Sequence, residues 1–477
     1  MWRYIVLVCV LGSTLWGCSQ SSDEQAAKSG SAADSEESET SYGDFAIGEP
    51  VAHENLTIFP IASKAPKNED RFITLDEGLA AGTVKIIEVG ATEAQNESAG
   101  ESADDIFGAP LLPDEIESDA SGEADEADGT VQEDGEQTVE PNPFGSSEEP
   151  ELQSQTDETD EDESQPFGDE VDGEVNTLLV LNTSGKPLYL MPGEVISGGK
   201  QDRTIGQEVV IASSEASVPV DVFCVEQGRW HGRSVESTAG YLAAAVEPTG
   251  NLSLVISATQ SVNELAEDSR QGKFVASVGQ LNKDARLAVQ QAGEQGKVWE
   301  EVAKTNSKVG NDSSSDNFAA NYMSAEFAKD FEPYIEKLKP VGDTKQIVGV
   351  AVAVNGKMLS VDVFESTPLF RKFWPKLLKS YALDAVAATS GEAADEKLKP
   401  VSVQDCIAFL KGIEEGTTET EELAGGQKLA RRKSSQGTSF SFYDATAAEA
   451  VGVAAEEEAW GYGGGFDGGV HTGVLAH

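Results

Sequence analysis

A long acidic stretch without any basic residue constrains this chain more than any other feature. Between Lys85 and Lys186 there is no lysine or arginine, and residues 88–174 carry about thirty carboxylates among Ser, Gly, Ala and Gln. Such a segment buries too little apolar surface to offset its chain entropy, and its like charges repel one another. We therefore expect residues 91–174 to form a disordered insertion that interrupts one folded domain.

The formal net charge of −50 is unevenly distributed along the chain. Residues 19–50 have the same polar, acidic composition as the insertion and are predicted to be a disordered linker. From residue 175 to residue 411 the charges nearly balance, as in an ordinary globular domain. No basic cluster is available to displace counterions from phosphates, so the sequence predicts no nucleic-acid partner.

Short apolar segments rich in β-branched residues lie on both sides of the insertion. Residues 56–61 and 83–89 precede it and residues 176–182 follow it, which places the insertion in the loop of one hairpin. Further strand-like segments cover residues 187–191, 208–212, 217–224 and 251–258. Their spacing of about ten residues favours a β-sandwich or a partial barrel.

The second half of the domain combines helices with one clear hairpin. Helical patterns cover residues 262–282, 285–304 and 324–338. Residues 347–354 and 358–364 flank Asn355-Gly356, a type I′ turn signal, and residues 367–388 repeat apolar side chains at three- and four-residue spacing. We predict an α+β fold over residues 51–412: a β-rich sandwich or partial barrel with a C-terminal β-hairpin and packed helices. The Glu/Thr- and Gly-rich residues 413–477 are expected to be a disordered tail.

The N-terminus has the layout of a bacterial lipoprotein signal over residues 1–18. Arg3 precedes an apolar run, and Leu15-Trp16-Gly17-Cys18 ends in a cysteine. Cys18 would then carry the lipid that tethers an extracytoplasmic domain to the cell envelope, and Ser19 favours the outer membrane. An ordinary signal peptide cut near Gly17, or an uncleaved anchor, are the alternatives.

Few residues are available for metal or hydrolase chemistry. Cys224 and Cys406 remain in the folded part without CxxC or metal-ligand spacing; for Cys224 a small buried hydrophobe is favoured over a disulfide or a reactive thiol. The four histidines form no HExxH pattern, and no GxSxG or EF-hand sequence occurs. The sequence therefore predicts no metal site and no cofactor.

The first candidate site is the segment MPGEVISGGKQDR, residues 191–203. Gly198 and Gly199 allow a tight turn with exposed amide groups, and Lys200 and Arg203 add positive charge, which suits phosphate or pyrophosphate. The alternative is a Gly-Gly turn whose charged residues are solvated or paired with Glu194.

The second candidate site is CVEQGRW, residues 224–230. Glu226 is a candidate catalytic base or acceptor for a ribose hydroxyl, Gln227 can contact a base, Arg229 can clamp an anion and Trp230 can stack. His231 could share in proton transfer. Structurally, Glu226 and Arg229 could instead neutralise each other, and Trp230 could close the end of the sheet.

The amino-acid sequences of these segments resemble one protein family. ENLTIFPI (residues 54–61), LDEGLAAGTVKIIEV (residues 75–89), GGKQDR and CVEQGRW are similar to the domain named for its association with ADP-ribosyl glycohydrolases and rhodanese/phosphatase-superfamily proteins, abbreviated ARPP. The resemblance implies a fold and a pathway context. It implies no reaction.

Two functional hypotheses follow from these segments. In the first, a membrane-tethered domain binds, with or without processing it, a nucleotide or ADP-ribose-related anion in a cleft formed by Glu194, Lys200, Gln201, Arg203, Glu226, Gln227, Arg229 and Trp230. In the second, the protein is a non-catalytic binding or scaffolding lipoprotein of the envelope. Because each segment ends a strand, both can meet at one edge of the sheet, with Lys200 or Arg203 near Glu226 and Arg229 near Glu194.

Overall fold

A computed structural model of the chain describes residues 40–89, 176–234, 238, 261–323, 325–389, 400–444 and 469–477. The predicted signal peptide with Cys18, the first part of the predicted linker and the insertion 91–174 lie outside the described residues. The predicted strand 251–258 lies outside them as well.

The described residues form eighteen strands and eight α-helices. The strands are β1 (Ser41–Tyr42), β2 (Phe45–Ile47), β3 (Val51–His53), β4 (Leu56–Ser63), β5 (Val84–Glu88), β6 (Thr177–Asn182), β7 (Leu188–Leu190), β8 (Glu194–Gly198), β9 (Arg203–Ile205), β10 (Val209–Ile211), β11 (Val218–Cys224), β12 (Lys273–Gln280), β13 (Ile347–Val354), β14 (Lys357–Phe364), β15 (Thr417–Glu422), β16 (Gln427–Lys433), β17 (Gly437–Asp444) and β18 (His471–Ala476). The helices are α1 (Leu75–Ala80), α2 (Val262–Arg270), α3 (Lys283–Ala292), α4 (Gln295–Val309), α5 (Ala320–Met323), α6 (Ala325–Leu338), α7 (Thr367–Ala387) and α8 (Val403–Glu414).

Six antiparallel strands close into a barrel in the order β11, β6, β5, β12, β8, β9. Along β6 every second residue is buried, so Leu178 and Val180 point into the barrel core. Strands β5 and β6 pair directly, with Lys85 opposite Leu181. The two segments that border the insertion therefore form one hairpin, as their strand patterns predicted.

A ten-stranded antiparallel sheet forms the second β unit, in the order β1, β2, β4, β13, β14, β18, β17, β16, β15, with β3 also paired to β4. The predicted hairpin of β13 and β14 is confirmed. Asn355 and Gly356 at its turn both have positive φ, 50° and 72°, as a type I′ turn requires. All eight residues of β13 are buried, because helices cover both faces of the sheet.

The apolar repeat of α7 forms the main core between the sheet and the barrel. Phe370, Phe373 and Leu377 are fully buried there and pack in one cluster with Val350 and Val352 of β13. On the opposite face of the sheet, Phe409 and Leu410 of α8 belong to a second cluster. The predicted α+β class is confirmed, with a closed barrel where the sequence predicted a sandwich or partial barrel.

The disordered tail predicted over residues 413–477 is wrong for the part that the structure describes. Strands β15 to β18 extend the large sheet, and all six residues of β18 are buried. The low apolar content of residues 417–433 suggested disorder, but oppositely charged residues pair across strands β15 and β16. Glu419 lies opposite Arg431, and Glu422 lies opposite Lys428. Strands β1 and β2 likewise lie inside the predicted linker 19–50.

The helix predicted over residues 262–282 is also partly wrong. Helix α2 ends at Arg270, and residues Lys273–Gln280 form β12, which pairs with both β5 and β8. Apart from Phe274, Val275 and Val278, the five other residues of this strand are small, polar or basic, so no clear alternation marked it. Pairing on both sides supplies the backbone hydrogen bonds that fix it.

Both cysteines of the described residues are free and buried. Burial raises the pKa of the Cys224 thiol, which agrees with its predicted role as a small buried side chain and disfavours a reactive thiolate. No helix within the described ranges is long and apolar enough to cross a membrane.

We expect a protein lacking residues 91–172 to fold cooperatively. The deletion leaves a short loop between β5 and β6, whose direct pairing it does not touch, and each halving of loop length lowers the closure cost by about 0.6 kcal/mol. Urea unfolding should therefore give a single transition, with a free energy of unfolding equal to the full chain's or up to about 2 kcal/mol higher. Loss of the cooperative transition would show that the insertion contributes to the fold.

Candidate functional site

The two predicted segments meet, as expected, at the end of the barrel. Arg229 Nη1 donates to the carbonyl oxygen of Gly199 at 2.8 Å, and Gln201 Nε2 donates to the carbonyl oxygen of Glu226 at 2.9 Å. The backbone N–H of Asp202 donates to Glu226 Oε2 at 3.0 Å. These contacts join the loop between β8 and β9 to the chain that follows β11.

Four charged side chains at this junction form a buried ionic cluster, which consists of Asp202, Glu226, Arg229 and Arg233. Arg229 Nε donates to Glu226 Oε2 at 2.8 Å, and its Nη2 lies 3.2 Å from Asp202 Oδ1. Arg233 Nη2 lies 2.7 Å from Asp202 Oδ2 and 3.5 Å from Glu226 Oε2. Two guanidinium groups therefore balance two carboxylates, and the ionic cluster has no net charge.

Polar neighbours complete the coordination of the two carboxylates. Ser315 Oγ donates to Glu226 Oε1 at 3.0 Å, and Asn317 Nδ2 donates to Asp202 Oδ2 at 3.1 Å. Burial by itself opposes ionisation of Asp202, but Arg233 and Arg229 outweigh it and lower its pKa below the ordinary value. Glu226, the candidate catalytic base, is 1% exposed and accepts hydrogen bonds on both oxygens. These contacts support a positioning role for it.

Gly198 and Gly199 allow the backbone to pass close to the neighbouring strand at this junction. Gly198 has φ +146°, and a Cβ there would lie 2.4 Å from the carbonyl oxygen of Lys273 on the neighbouring strand. The N–H of Gly199 donates to Lys273 at 3.0 Å, and the N–H of Lys200 donates to Glu88 Oε1 at 2.8 Å. The backbone amide groups predicted to bind a phosphate are therefore hydrogen-bonded within the protein. This arrangement agrees with the alternative prediction, a Gly-Gly turn.

Glu194 and Arg203 lie apart from the ionic cluster. Glu194 is fully buried and forms an ion pair with Lys376 of α7, which also lies 2.5 Å from Asp76. The expectation that Arg229 would approach Glu194 is wrong, because Asp202 on the same segment takes that place. Arg203 Nη1 donates to Gln201 Oε1 at 2.7 Å and also contacts Cys224 Sγ, so it does not approach the Glu226 carboxylate.

The remaining predicted residues form an exposed surface above the ionic cluster, which we call the rim: Lys200, Gln227, Trp230 and His231. Trp230 is 57% exposed and is the one large exposed hydrophobic side chain within the described ranges. Lys200 directly follows Gly199, and Trp230 directly follows Arg229, whose guanidinium donates to the Gly199 carbonyl oxygen, so both residues belong to the same junction. Gly232 packs against the backbone of Arg270, whose guanidinium is paired with Glu267 at 2.6 Å.

A second buried polar network was not predicted from the sequence. His471 Nδ1 lies 2.5 Å from Glu208 Oε1, and His471 Nε2 lies 3.2 Å from Asp362 Oδ1. Arg286 donates to both oxygens of Asp362, at 3.1 and 2.7 Å, and Tyr189 donates to Glu208 at 2.8 Å. Asp362, a charged residue inside the apolar strand β14, was the one signal for this network in the sequence. His471 gave none, because it lies in the segment predicted to be a disordered tail.

Glu208 of this network also lines a cleft of about 610 Å³ between the barrel and strands β15 and β16. The cleft is lined by Asn176, Thr177, Pro192, Gly206, Gln207, Glu208, Asp221, Val222, Phe223, Val289, Gln290, Gln291, Gly293, Glu421, Leu429 and Arg431. Within the described ranges, no group of three or more His, Cys, Asp or Glu side chains could hold a metal ion.

The fold and the junction together define an α+β domain built from a six-stranded barrel and a large antiparallel sheet, with its sequence motifs gathered at the barrel end. A protein-family model for the ARG and Rhodanese-Phosphatase-superfamily-associated Protein domain, ARPP-1, matches residues 44–98 and 168–453. The chain belongs to this family, which has no known activity and is associated with ADP-ribosyl glycohydrolases. Comparisons with curated proteins and with solved structures find no match.

We expect the stabilisation that His471 contributes to disappear at alkaline pH. Burial alone lowers its pKa, but Glu208 and Asp362 outweigh burial and raise it above the ordinary value of 6.5. The protonated ring therefore stabilises the fold fully below about pH 6.5, and the contribution is lost as the pH rises through the folded-state pKa.

Urea unfolding of the wild type and His471→Gln from about pH 5.5 to about pH 10 measures this contribution. The difference in unfolding free energy should be largest at the acid end and shrink toward the alkaline end. His477→Gln, which alters an exposed ring near the same strand, is the control. A difference that stays constant over this range would mean that His471 acts by packing alone.

Proposed function

We propose that this protein is a membrane-tethered extracytoplasmic domain that binds a nucleotide or ADP-ribose-related anion at the rim. The observation that carries the proposal is that Trp230 and Lys200 are both exposed at the junction that the ionic cluster holds together. An exposed indole offers a stacking surface to a nucleobase, and an exposed cation attracts a phosphate. The family's association with ADP-ribosyl glycohydrolases supports the same class of ligand.

Charge balance in the ionic cluster explains why the rim is the better place for an anion. Both guanidinium groups are already paired with carboxylates, so a phosphate in their place would have to displace a buried partner. Removing one partner of a buried pair costs about 3–5 kcal/mol. Lys200 is exposed and adds positive charge without that cost.

The ionic cluster then has a supporting role in this proposal. Arg229 Nη1 donates both to Gly199 and, at 2.8 Å, to the carbonyl oxygen of His231. One guanidinium thereby fixes the backbone on either side of Trp230 and the backbone before Lys200. Fixed supporting residues lower the entropy lost when a ligand binds. The proposal includes binding and no catalytic step, because Glu226 is engaged in this support.

We expect Trp230→Ala to weaken binding of ADP-ribose tenfold or more and Lys200→Ala to weaken it severalfold, as measured by isothermal titration calorimetry. Loss of one stacked ring is worth about 1–3 kcal/mol, and about 1.4 kcal/mol corresponds to tenfold in affinity. Since both side chains are exposed, the melting temperatures should stay close to that of the wild type.

The matched control is Lys411→Ala, which removes an exposed lysine from α8 on the opposite face of the large sheet and should leave the affinity unchanged. ADP and ribose 5-phosphate, titrated in parallel, separate the contribution of the base from that of the phosphate. No binding by the wild type, or equal binding by all three variants, would refute a ligand at the rim. The alternative of a scaffolding lipoprotein predicts that first result.

The proposed tether is a lipid on Cys18, supported by the signal-like N-terminal sequence. We expect Cys18→Ala to move the protein from the membrane fraction to the soluble fraction and to abolish labelling by a radioactive fatty acid. Cys9→Ala, which changes a cysteine in the apolar part of the signal, is the control and should change neither. Unaltered membrane association of Cys18→Ala would exclude the lipid as the anchor.

A further inference from the structure

The charged residues that line the cleft between the barrel and strands β15 and β16 are mainly acidic. Three carboxylates, Glu208, Asp221 and Glu421, line it against one guanidinium, Arg431. The lining therefore carries two more negative than positive formal charges. Arg431 is itself engaged: its Nη2 donates to the carbonyl oxygen of Gln290 at 3.4 Å, and the guanidinium lies 5.8 Å from the Phe440 ring centroid. Charge alone disfavours an anion in this cleft.

Glu208 supplies a second, independent observation. The side chain is 1% exposed, and its Oε1 is held by Tyr189 and His471. Its Oε2 has no hydrogen-bond partner among the described residues, and the same is true of Gln290 Oε1 on the neighbouring wall. A buried acceptor without a partner costs about 1–3 kcal/mol. Arg431 Nε is one buried donor without a partner among the described residues. Two such acceptors against one such donor leave the cleft short of hydrogen-bond donors.

Apolar side chains form part of the remaining cleft surface, beside neutral polar residues and glycines. Pro192, Phe223, Val289 and Leu429 are its apolar members. A molecule that fits this lining carries donor-rich positive groups for the carboxylates and a hydrocarbon segment for the apolar wall. The volume of about 610 Å³ falls in the range of about 300–1,000 Å³ that is usual for small-molecule sites.

We propose that this cleft binds a small alkylammonium ion, in which an ammonium group contacts Glu208 while methylene groups lie along Phe223 and Leu429. A second ammonium group on the same chain would reach the outer carboxylates, Asp221 and Glu421. Diamines have this arrangement of charge and hydrocarbon. The site is separate from the rim, and it requires no nucleotide.

Titration calorimetry of the full chain with 1,4-diaminobutane at about physiological ionic strength tests the proposal. We expect one site per chain, and 1,4-butanediol, which keeps the length and removes the charge, should bind at least tenfold more weakly. Asp221→Asn and Glu421→Gln should each weaken the diamine severalfold at an unchanged melting temperature, since both side chains are exposed.

Glu422→Gln is the matched control. Glu422 is the next residue on β15, points to the opposite face of the strand and pairs with Lys428 at 3.5 Å, so this variant should bind the diamine like the wild type. Glu208→Gln removes the buried charge and should weaken binding most. Because that variant could also fail to fold, the two variants of exposed residues decide the outcome if its melting transition is lost.

Three results would overturn the proposal. The first is no binding of the diamine. The second is many weak sites per chain that Asp221→Asn and Glu421→Gln leave unchanged, as expected if the amine only adsorbs to the acidic segments. The third is equal affinity for the diol, which would assign the cleft to hydroxyl groups. None of these results bears on ADP-ribose binding at the rim.

Discussion

The buried contact of His471 with Glu208 and Asp362 joins the two β units of this protein. Asp362 lies on β14, at the centre of the large sheet, His471 begins β18, and Glu208 follows β9 of the barrel. Arg286 from α3 balances the second carboxylate, so two positive and two negative groups share one dry interior. If one member is removed, an uncompensated charge remains at the contact between sheet and barrel, at a cost of about 3–5 kcal/mol. Glu208 also lines the cleft, so this contact forms part of the cleft wall.

Two buried ionic arrangements thus divide the structural roles between them. The network around His471 fixes the barrel against the sheet, whereas the ionic cluster around Arg229 fixes two loops against each other at the far end of the barrel strands. Both are balanced in charge and completed by neutral donors, such as Tyr381, which donates to Asp362 at 2.6 Å. This completion is the condition under which buried ions are tolerated. The two arrangements differ in their surroundings. The network around His471 borders an acidic cleft, whereas the ionic cluster lies next in sequence to an exposed tryptophan and an exposed lysine.

Several features were accessible from the sequence because they depend on neighbouring residues. The hairpin at Asn355-Gly356, the helix over Thr367–Ala387 and the pairing across the insertion follow from turn chemistry and apolar spacing. The meeting of residues 198–203 with residues 226–229 also followed, because each segment ends a strand. Local patterns did not predict β12, because this strand is stabilised by pairing on both sides. They did not predict β15 to β18 either, because the charged and glycine-rich composition of that region is typical of disordered segments.

The sequence by itself determined those strands and helices that carry a local apolar or turn pattern, and it placed the polar motifs together at the end of the barrel. Only the tertiary structure decided which of those polar side chains are buried: Asp202 rather than Glu194 receives Arg229, and Lys376, 182 positions away, receives Glu194. The contact between His471 and Glu208 spans 263 positions, so no local pattern could reveal it. Burial and charge pairing are properties of the assembled core, because they depend on which distant surfaces exclude water from the same place.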